Sequence, residues 1–125
     1  MKDDMLTSIF EKRESFMELI KDKFPDTYNS WPLDIGKKSS QIQLRETALK
    51  GVEEMFEALQ HLKNWKPHRD TDLGEFNHDE FLEEVVDAFN YFLSVLVLVG
   101  VTEEDFFSAY VQKDEVIRNR LLSGY

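Results

Sequence analysis

An almost continuous apolar segment, residues 88–101, constrains the fold of this chain more than any other feature. Only one Asn and one Ser interrupt it, and it is too short to cross a bilayer, which takes about 20 residues. A helix that is apolar on nearly all sides is normally buried among other elements. The segment therefore predicts a buried helix over roughly 78-99, with Asn77 as its N-cap and Gly100 just past its end.

Three further segments repeat apolar residues at helical spacing. With the first, they predict helices roughly over 4-23, 40-62, 78-99 and 102-122. Five Gly and three Pro are too few for a turn-dense β-sandwich or barrel. Because the loops are short enough to join antiparallel neighbours, we expect an all-α fold with a four-helix-bundle core, in a single domain over 1-125.

Short polar residues mark the expected helix starts. Ser39 or Ser40 is the expected N-cap of the second helix. Thr102 precedes the fourth helix, and Asp105 follows three residues later, in the pattern of a capping box. These signals place the helix boundaries independently of the apolar periodicity.

The net charge of -10 and the absence of Cys exclude several classes of function. Binding to a nucleic-acid polymer needs a basic face, which this composition disfavours. A nucleotide substrate remains compatible, since carboxylates bind Mg²⁺ and Mg²⁺ binds phosphates. Without Cys there is no disulfide, thiolate zinc site or Cys nucleophile. The first residues lack the apolar run of a signal peptide, so we expect a cytoplasmic protein that does not act on membranes.

Two carboxylate pairs carry the chemistry suggested by the sequence. Glu54 and Glu57 lie three residues apart in the second helix, and Glu84 and Asp87 repeat this spacing in the third. Each pair shares one helical face. If the two helices pack antiparallel, the four carboxylates converge, and they repel one another unless a cation binds between them. Mg²⁺ prefers such oxygen ligands, and two ions can support hydrolysis of a phosphoanhydride.

The alternative is a solvated acidic face, because one residue in five is Asp or Glu and such spacings arise by chance. Two observations favour the metal site: the third helix is apolar up to the carboxylates, and the same pattern occurs on consecutive helices. Glu53 and Glu83 point about 100° away from the pairs and are expected to be solvated. Glu53 is also a candidate for contacting a metal from the edge.

Along the chain, the pattern EExxE is followed by 26 residues and then by ExxD. This arrangement resembles the one found in the all-α NTP pyrophosphatase superfamily, which includes MazG and the dimeric dUTPases. The similarity is greater to the dimeric dUTPase branch, especially its phage dCTPase–dUTPase type, and covers roughly residues 50 to 125. Besides the four carboxylates, the matching positions are Lys63, Trp65, Lys66, Lys113, Arg120, Gly124 and Tyr125.

This resemblance implies hydrolysis of a deoxynucleoside triphosphate, with dUTP and/or dCTP favoured, to the monophosphate and pyrophosphate in nucleotide-pool control. It implies that Glu54, Glu57, Glu84 and Asp87 hold two or more Mg²⁺ ions, with Mn²⁺ as a substitute. Glu57 would orient or deprotonate the attacking water. Candidates for phosphate contacts are Lys66, Lys113 and Arg120, for which ordinary surface cations are the alternative.

The chain departs from the branch at several positions. Asn90 stands where the branch usually has His, and Asp114 and Ile117 stand where it has Asn. Asn90 shares a face with Asp87, so it is expected either to hydrogen-bond the sugar or base or to be a satisfied polar residue in the bundle. Trp31 is expected either to stack on a base or to pin its connector to the bundle.

Three further expectations complete the sequence-based interpretation. A helix apolar on nearly all sides would leave exposed hydrophobic surface on a monomer, and the family assembles, so we expect a homodimer or dimer of dimers. The resemblance also implies a compartment, the cytoplasm of a bacterium or of a phage-infected host cell. Alternative functions are a MazG-like pyrophosphatase of another (d)NTP, and a catalytically silent helical interaction protein, which has no need of four converging charges.

Overall fold

The computed structural model describes residues 4–124, and in this range it contains four helices and no strand. They are α1 (Met5–Lys23), α2 (Lys38–Leu59), α3 (His78–Leu98) and α4 (Glu103–Ser123). The predicted all-α, four-helix architecture is confirmed. Tyr125, one of the positions that match the dUTPase branch, lies outside the described residues.

Local capping fixes the starts of α3 and α4 as the sequence predicts. The Asn77 side-chain oxygen accepts a hydrogen bond of 3.1 Å from the backbone N–H of Glu80. At α4, the Thr102 hydroxyl accepts from the backbone N–H of Asp105, whose carboxylate accepts from the backbone N–H of Thr102. Each cap satisfies helix-terminal N–H groups that would otherwise lack a partner.

The start of α2 differs from the prediction. The helix begins at Lys38 with Lys37 in the N-cap position and no side-chain cap, so the assignment of Ser39 or Ser40 as N-cap is wrong. A turn just before the helix explains the difference, because the Asp34 carbonyl accepts a 3.0 Å hydrogen bond from the Lys37 N–H. That turn delivers the chain into helical geometry without a capping hydroxyl.

The end of α2 is also earlier than predicted, at Leu59 instead of Leu62. The backbone N–H groups of residues 60–62 each bond the carbonyl three residues earlier, which tightens the chain into a turn. This turn brings the next side chain, His61, against α3.

Helices α2 and α3 form the central pair and run antiparallel. Gly51 in the middle of α2 faces the Phe92 ring of α3, and the His61 ring lies edge-on to Phe81, 6.2 Å between centroids. A Cβ at Gly51 would lie only 2.7 Å from Phe92 Cε1, so the two helices approach more closely here than another residue would allow.

The main hydrophobic core lies at the end of the bundle where α3 finishes. The backbone N–H of Leu33 donates to the Leu98 carbonyl at 2.7 Å and fixes the connector between α1 and α2 against that end. The buried cluster consists of Met17, Tyr28, Leu33, Val97 and Leu98, with Ile20, Trp31 and Leu44 packed against it.

Helix α4 is set apart from the central pair. Gly100 follows α3 with φ of 80°, and its N–H and that of Val101 bond the carbonyls of Val97 and Leu96, closing the helix as predicted. The axis of α4 then diverges from that of α3 by 106°. Of the other helices, α4 contacts only α1.

No single helix among the four described ones is long and apolar enough to cross a membrane. By length and composition alone, α3 and α4 taken together as a bent pair reach what a membrane-spanning segment requires.

The close approach at Gly51 generates a stability prediction. Gly51→Val should lower the free energy of unfolding by about 1–3 kcal/mol, because the added atoms would force Phe92 out of place. Chemical denaturation measures the loss. Lys50→Val is the control, since it puts the same β-branched residue at the neighbouring exposed position. An equal loss in both variants would show that the Gly51 contact is unimportant.

Candidate functional site

Glu54 and Glu84 lie on the faces through which α2 and α3 pack. Glu54 follows Gly51 by three residues and precedes Ala58 by four, and both of these are buried. Glu84 similarly precedes the buried Ala88 by four residues. Because helix positions three and four apart share a face, both carboxylates are carried into the interface, and both side chains are half-buried.

Glu57 and Asp87 lie at the edge of the same interface and are exposed. The contacts of Gly51 with Phe92 and of His61 with α3 set the antiparallel register, which places Glu57 and Asp87 at about the same level. The four predicted ligands therefore occupy one region of a single helix pair, two inside the interface and two at its rim.

The side chains in this region are not arranged as a ready-made metal site. Within residues 4–124, no group of three or more His, Asp or Glu side chains is positioned to hold an ion. The helices thus bring the four residues to one region, while the structure does not bring their carboxylates together. Their assignment as metal ligands stays a prediction.

Glu84 is the most constrained of the four carboxylates. Its Oε2 atom is buried and has no hydrogen bond of satisfactory geometry from any described residue. The nearest ionisable group is His61, whose Nε2 lies 2.7 Å away, with the His61 side chain only 21% exposed. The separation is short enough for an ion pair or a hydrogen bond, so we take His61 as the partner of Glu84. A buried carboxylate oxygen without such a partner would be costly.

His61 is a residue that the sequence analysis missed. It follows Ala58 by three residues and so extends the interface face of α2 beyond the end of the helix. That spacing is the signal in the sequence that points to it. A group that holds a carboxylate in one orientation is a common feature around metal ligands. His61 is placed to do this for Glu84.

The candidate phosphate-binding cations do not gather around these carboxylates in one copy of the chain. Lys113 and Arg120 lie on α4, which contacts neither α2 nor α3. Lys66 lies in the loop before α3, with its Nζ 4.8 Å from the centre of the Trp65 ring. Trp65 is 70% exposed, so its ring does not anchor this loop in the core.

Asp114, which stands where the dUTPase branch has Asn, is paired within α4. Arg118 Nε donates a 2.6 Å hydrogen bond to the Asp114 carboxylate. That hydrogen bond, together with the charge of Asp114, raises the pKa of Arg118 above its ordinary value. The local charge of Asp114 is thereby offset.

Asn90 and Trp31 lie in different environments. Asn90 is half-buried one turn after Asp87 and lines a groove between α1 and α3. Trp31 instead packs edge-on to Tyr28, and its Nε1 donates a 2.8 Å hydrogen bond to Glu14. It belongs to the core cluster near the last turn of α3, about 16 Å along the helix from Asp87. This position corresponds to the connector anchor, and base stacking by Trp31 has no support from its surroundings.

No protein-family model, no curated protein and no solved structure matches this chain. The resemblance to the all-α NTP pyrophosphatases therefore rests on the sequence pattern itself.

The contact of His61 with Glu84 can be measured as a coupling energy. His61→Ala should destabilise the protein by about 1–3 kcal/mol, because it removes the only nearby partner that residues 4–124 supply to the buried oxygen Glu84 Oε2. A double-mutant cycle with Glu84→Gln should give an interaction energy of at least about 0.5 kcal/mol. His68→Ala, in the exposed loop, is the matched control. Strictly additive effects of His61→Ala and Glu84→Gln would contradict the pairing.

Proposed function

We propose that this protein hydrolyses a deoxynucleoside triphosphate, with dUTP and/or dCTP favoured, to the monophosphate and pyrophosphate in a Mg²⁺-dependent reaction. The observation that carries the proposal is the position of Glu54 and Glu84 on the facing sides of α2 and α3, with Glu57 and Asp87 at the rim. The choice of this reaction rests on the resemblance of the sequence pattern to the all-α NTP pyrophosphatases.

The charge balance around these residues favours an external cation. Glu54, Glu57, Glu84 and Asp87 lie on one helix pair, and no Lys or Arg among residues 4–124 is within ion-pair distance of them. Within that range, His61 is the only cationic candidate in contact with the group. Carboxylates that converge repel one another, so these four could close around one point only with a cation between them. A hard divalent ion such as Mg²⁺ suits their oxygen atoms.

The position of Glu84 supports the same conclusion. Glu84 Oε2 is buried in the interface, and its 2.7 Å contact with His61 Nε2 lacks good hydrogen-bond geometry. A carboxylate oxygen carries two lone pairs, so Glu84 Oε2 can keep His61 beside it and still bind a cation. The chemistry of the residues therefore fits a divalent cation, although their side chains would have to converge to bind it.

The rim residues have the access that the reaction requires. A bound Mg²⁺ would neutralise phosphate charge and favour attack by water. Glu57 is exposed, so water and a triphosphate can reach its carboxylate, where it can orient the water and accept its proton. The water oxygen then bonds to phosphorus as the anhydride bond between the α- and β-phosphates breaks, and pyrophosphate leaves.

A substrate panel tests the activity. We expect the protein to release pyrophosphate and monophosphate from dUTP or dCTP when Mg²⁺ is present, and not when it is chelated. The panel should include dATP, dGTP, dTTP and the four common ribonucleotides, because turnover of one of these alone would indicate a MazG-like pyrophosphatase of another base. If purified, folded protein turns over no triphosphate with Mg²⁺ or Mn²⁺, the enzymatic proposal is wrong.

Paired substitutions test the site. Glu57→Gln and Asp87→Asn should each lower kcat/KM by about a thousandfold or more, since each removes a charge needed for metal binding or water activation. Glu83→Gln is the matched control, because Glu83 is exposed and adjoins the site without belonging to it. Mn²⁺ binding, followed by electron paramagnetic resonance, should weaken in the first pair only. Full activity in either Glu57→Gln or Asp87→Asn would overturn the assignment.

A further inference from the structure

A large apolar groove runs between α1 and α3. Its volume of about 1090 Å³ is close to that of the largest small-molecule sites in proteins, about 1,000 Å³. The four carboxylates proposed as metal ligands are not among the residues that line it. Apolar side chains form most of its walls, among them Ile9, Phe16, Phe89, Leu93 and Leu96. Because such a surface is costly to leave in water, an occupant of the groove is expected to be largely apolar.

Arg13 places a nearly buried positive charge in the wall of this groove. The residue is only 8% exposed, and its Nε donates a 2.7 Å hydrogen bond to the Ser94 hydroxyl. The rings of Phe16 and Tyr91 have their centroids 5.4 and 5.8 Å from the guanidinium carbon. Together, the hydroxyl and the two rings hold the guanidinium in one orientation. It therefore presents its remaining donors in a fixed direction.

This charge has no negative partner in the described part of the chain. No carboxylate in residues 4–124 lies within ion-pair distance of the guanidinium, and Ser94 is its only side-chain hydrogen-bond partner there. A buried cation without an anion is costly, because the interior does not screen charge as water does. Lys12 also lines the groove and adds a second cation. An anion that enters the groove therefore gains from both charges.

The hydrogen bond to Ser94 indicates which kind of anion suits Arg13. That bond uses Nε, so the free donors are on the two terminal nitrogens of the guanidinium. These nitrogens form a planar fork, and a carboxylate can accept a hydrogen bond from each at the same time. The groove thus has the properties of a site for a carboxylate that is attached to an apolar group.

A nucleobase suits the groove less well. Its edge carries several donors and acceptors, and each of them needs a partner when it is buried. Besides the two cations, Asn90 is the only polar side chain that residues 4–124 place in the lining. The groove therefore favours an occupant whose polar atoms are confined to one end.

The wall formed by α3 sets the length of the apolar part. Its lining residues run from Val86 to Leu96, and Ser94, which holds Arg13, lies near the second end. The distance along the helix from Ser94 back to Val86 is about 12 Å. One acyl chain spans about 15 Å, which is half of the hydrocarbon core of a bilayer. A chain of medium length therefore fits along this wall when its carboxylate is at Arg13.

We propose that the α1–α3 groove binds a medium-chain fatty acid, with its carboxylate on the terminal nitrogens of Arg13 and its chain along α3. The carboxylate supplies the anion that Arg13 lacks, and the chain covers apolar surface that would otherwise face water. The site shares no residue with the four carboxylates, so its binding is independent of the reaction proposed above and can be measured without a nucleotide.

A ligand series with the unmodified protein tests the class of ligand. Isothermal titration calorimetry with octanoate, decanoate and dodecanoate, below the concentrations at which they form micelles, should give one site per chain. The affinity should rise about fourfold for each added methylene that the groove covers. Decanol and decylamine are the controls, since they keep the chain and remove or reverse the charge. Each should bind at least about tenfold more weakly than decanoate.

Three results of this series would overturn the proposal. Equal affinities for decanoate and decanol would show that the groove does not recognise a carboxylate. Failure of every chain to bind would show that something else fills the groove, such as another protein chain. Binding to vesicles of anionic phospholipid without binding of dissolved decanoate would indicate a membrane surface as the partner.

Arg13→Met tests the residue that recognises the carboxylate. It removes the charge and keeps an unbranched side chain, so decanoate should bind at least about tenfold more weakly while decanol binds as before. Retained decanol binding shows that the groove has kept its shape. Lys23→Met is the matched control, because Lys23 is exposed on the same helix outside the groove. An Arg13→Met protein that still prefers decanoate to decanol would overturn the assignment, and the ligand series does not depend on the folding of this variant.

Discussion

The close packing of α2 on α3 is the interaction on which the rest of this structure depends. Gly51 lets the two helices meet at the Phe92 ring, at a distance that a Cβ would prevent. Glycine within a helix costs about 1 kcal/mol relative to alanine, so this approach is obtained at the expense of helix propensity. In return, Glu54 of α2 and Glu84 of α3 lie in the same interface.

The two ends of α3 serve different purposes. Near Leu98, the helix packs into a dry cluster held by the connector, including a backbone hydrogen bond from Leu33. Fourteen residues earlier, the face of α3 that packs against α2 carries the carboxylate of Glu84, whose side chain is 34% exposed. Stability is therefore concentrated at one end, and the acidic end is the part of the interface with most to gain from a ligand.

Features set by neighbouring residues could be predicted from the sequence, and features set by contacts across the fold could not. The caps at Asn77 and Thr102 are local, and the apolar segment correctly predicted a helix at α3. Its expected burial is only partial, because Leu82, Val86 and Phe89 are 59%, 49% and 54% exposed. The start of α2 was misplaced because a turn at Asp34 replaces the hydroxyl cap. Helical spacing put the four carboxylates on two faces, but it cannot determine rotamers, and the partnership of His61 with Glu84 depends on a turn beyond the helix.

The exposure of α4 has a consequence for the life of the chain in a cell. Newly made copies carry apolar residues such as Leu121 and Leu122, 73% and 84% exposed, at the end of the chain. Exposed apolar segments of this kind are what chaperones and proteases recognise. Copies in which these residues stay uncovered would be removed first, so the amount of protein that accumulates would depend on how well α4 is covered as well as on synthesis.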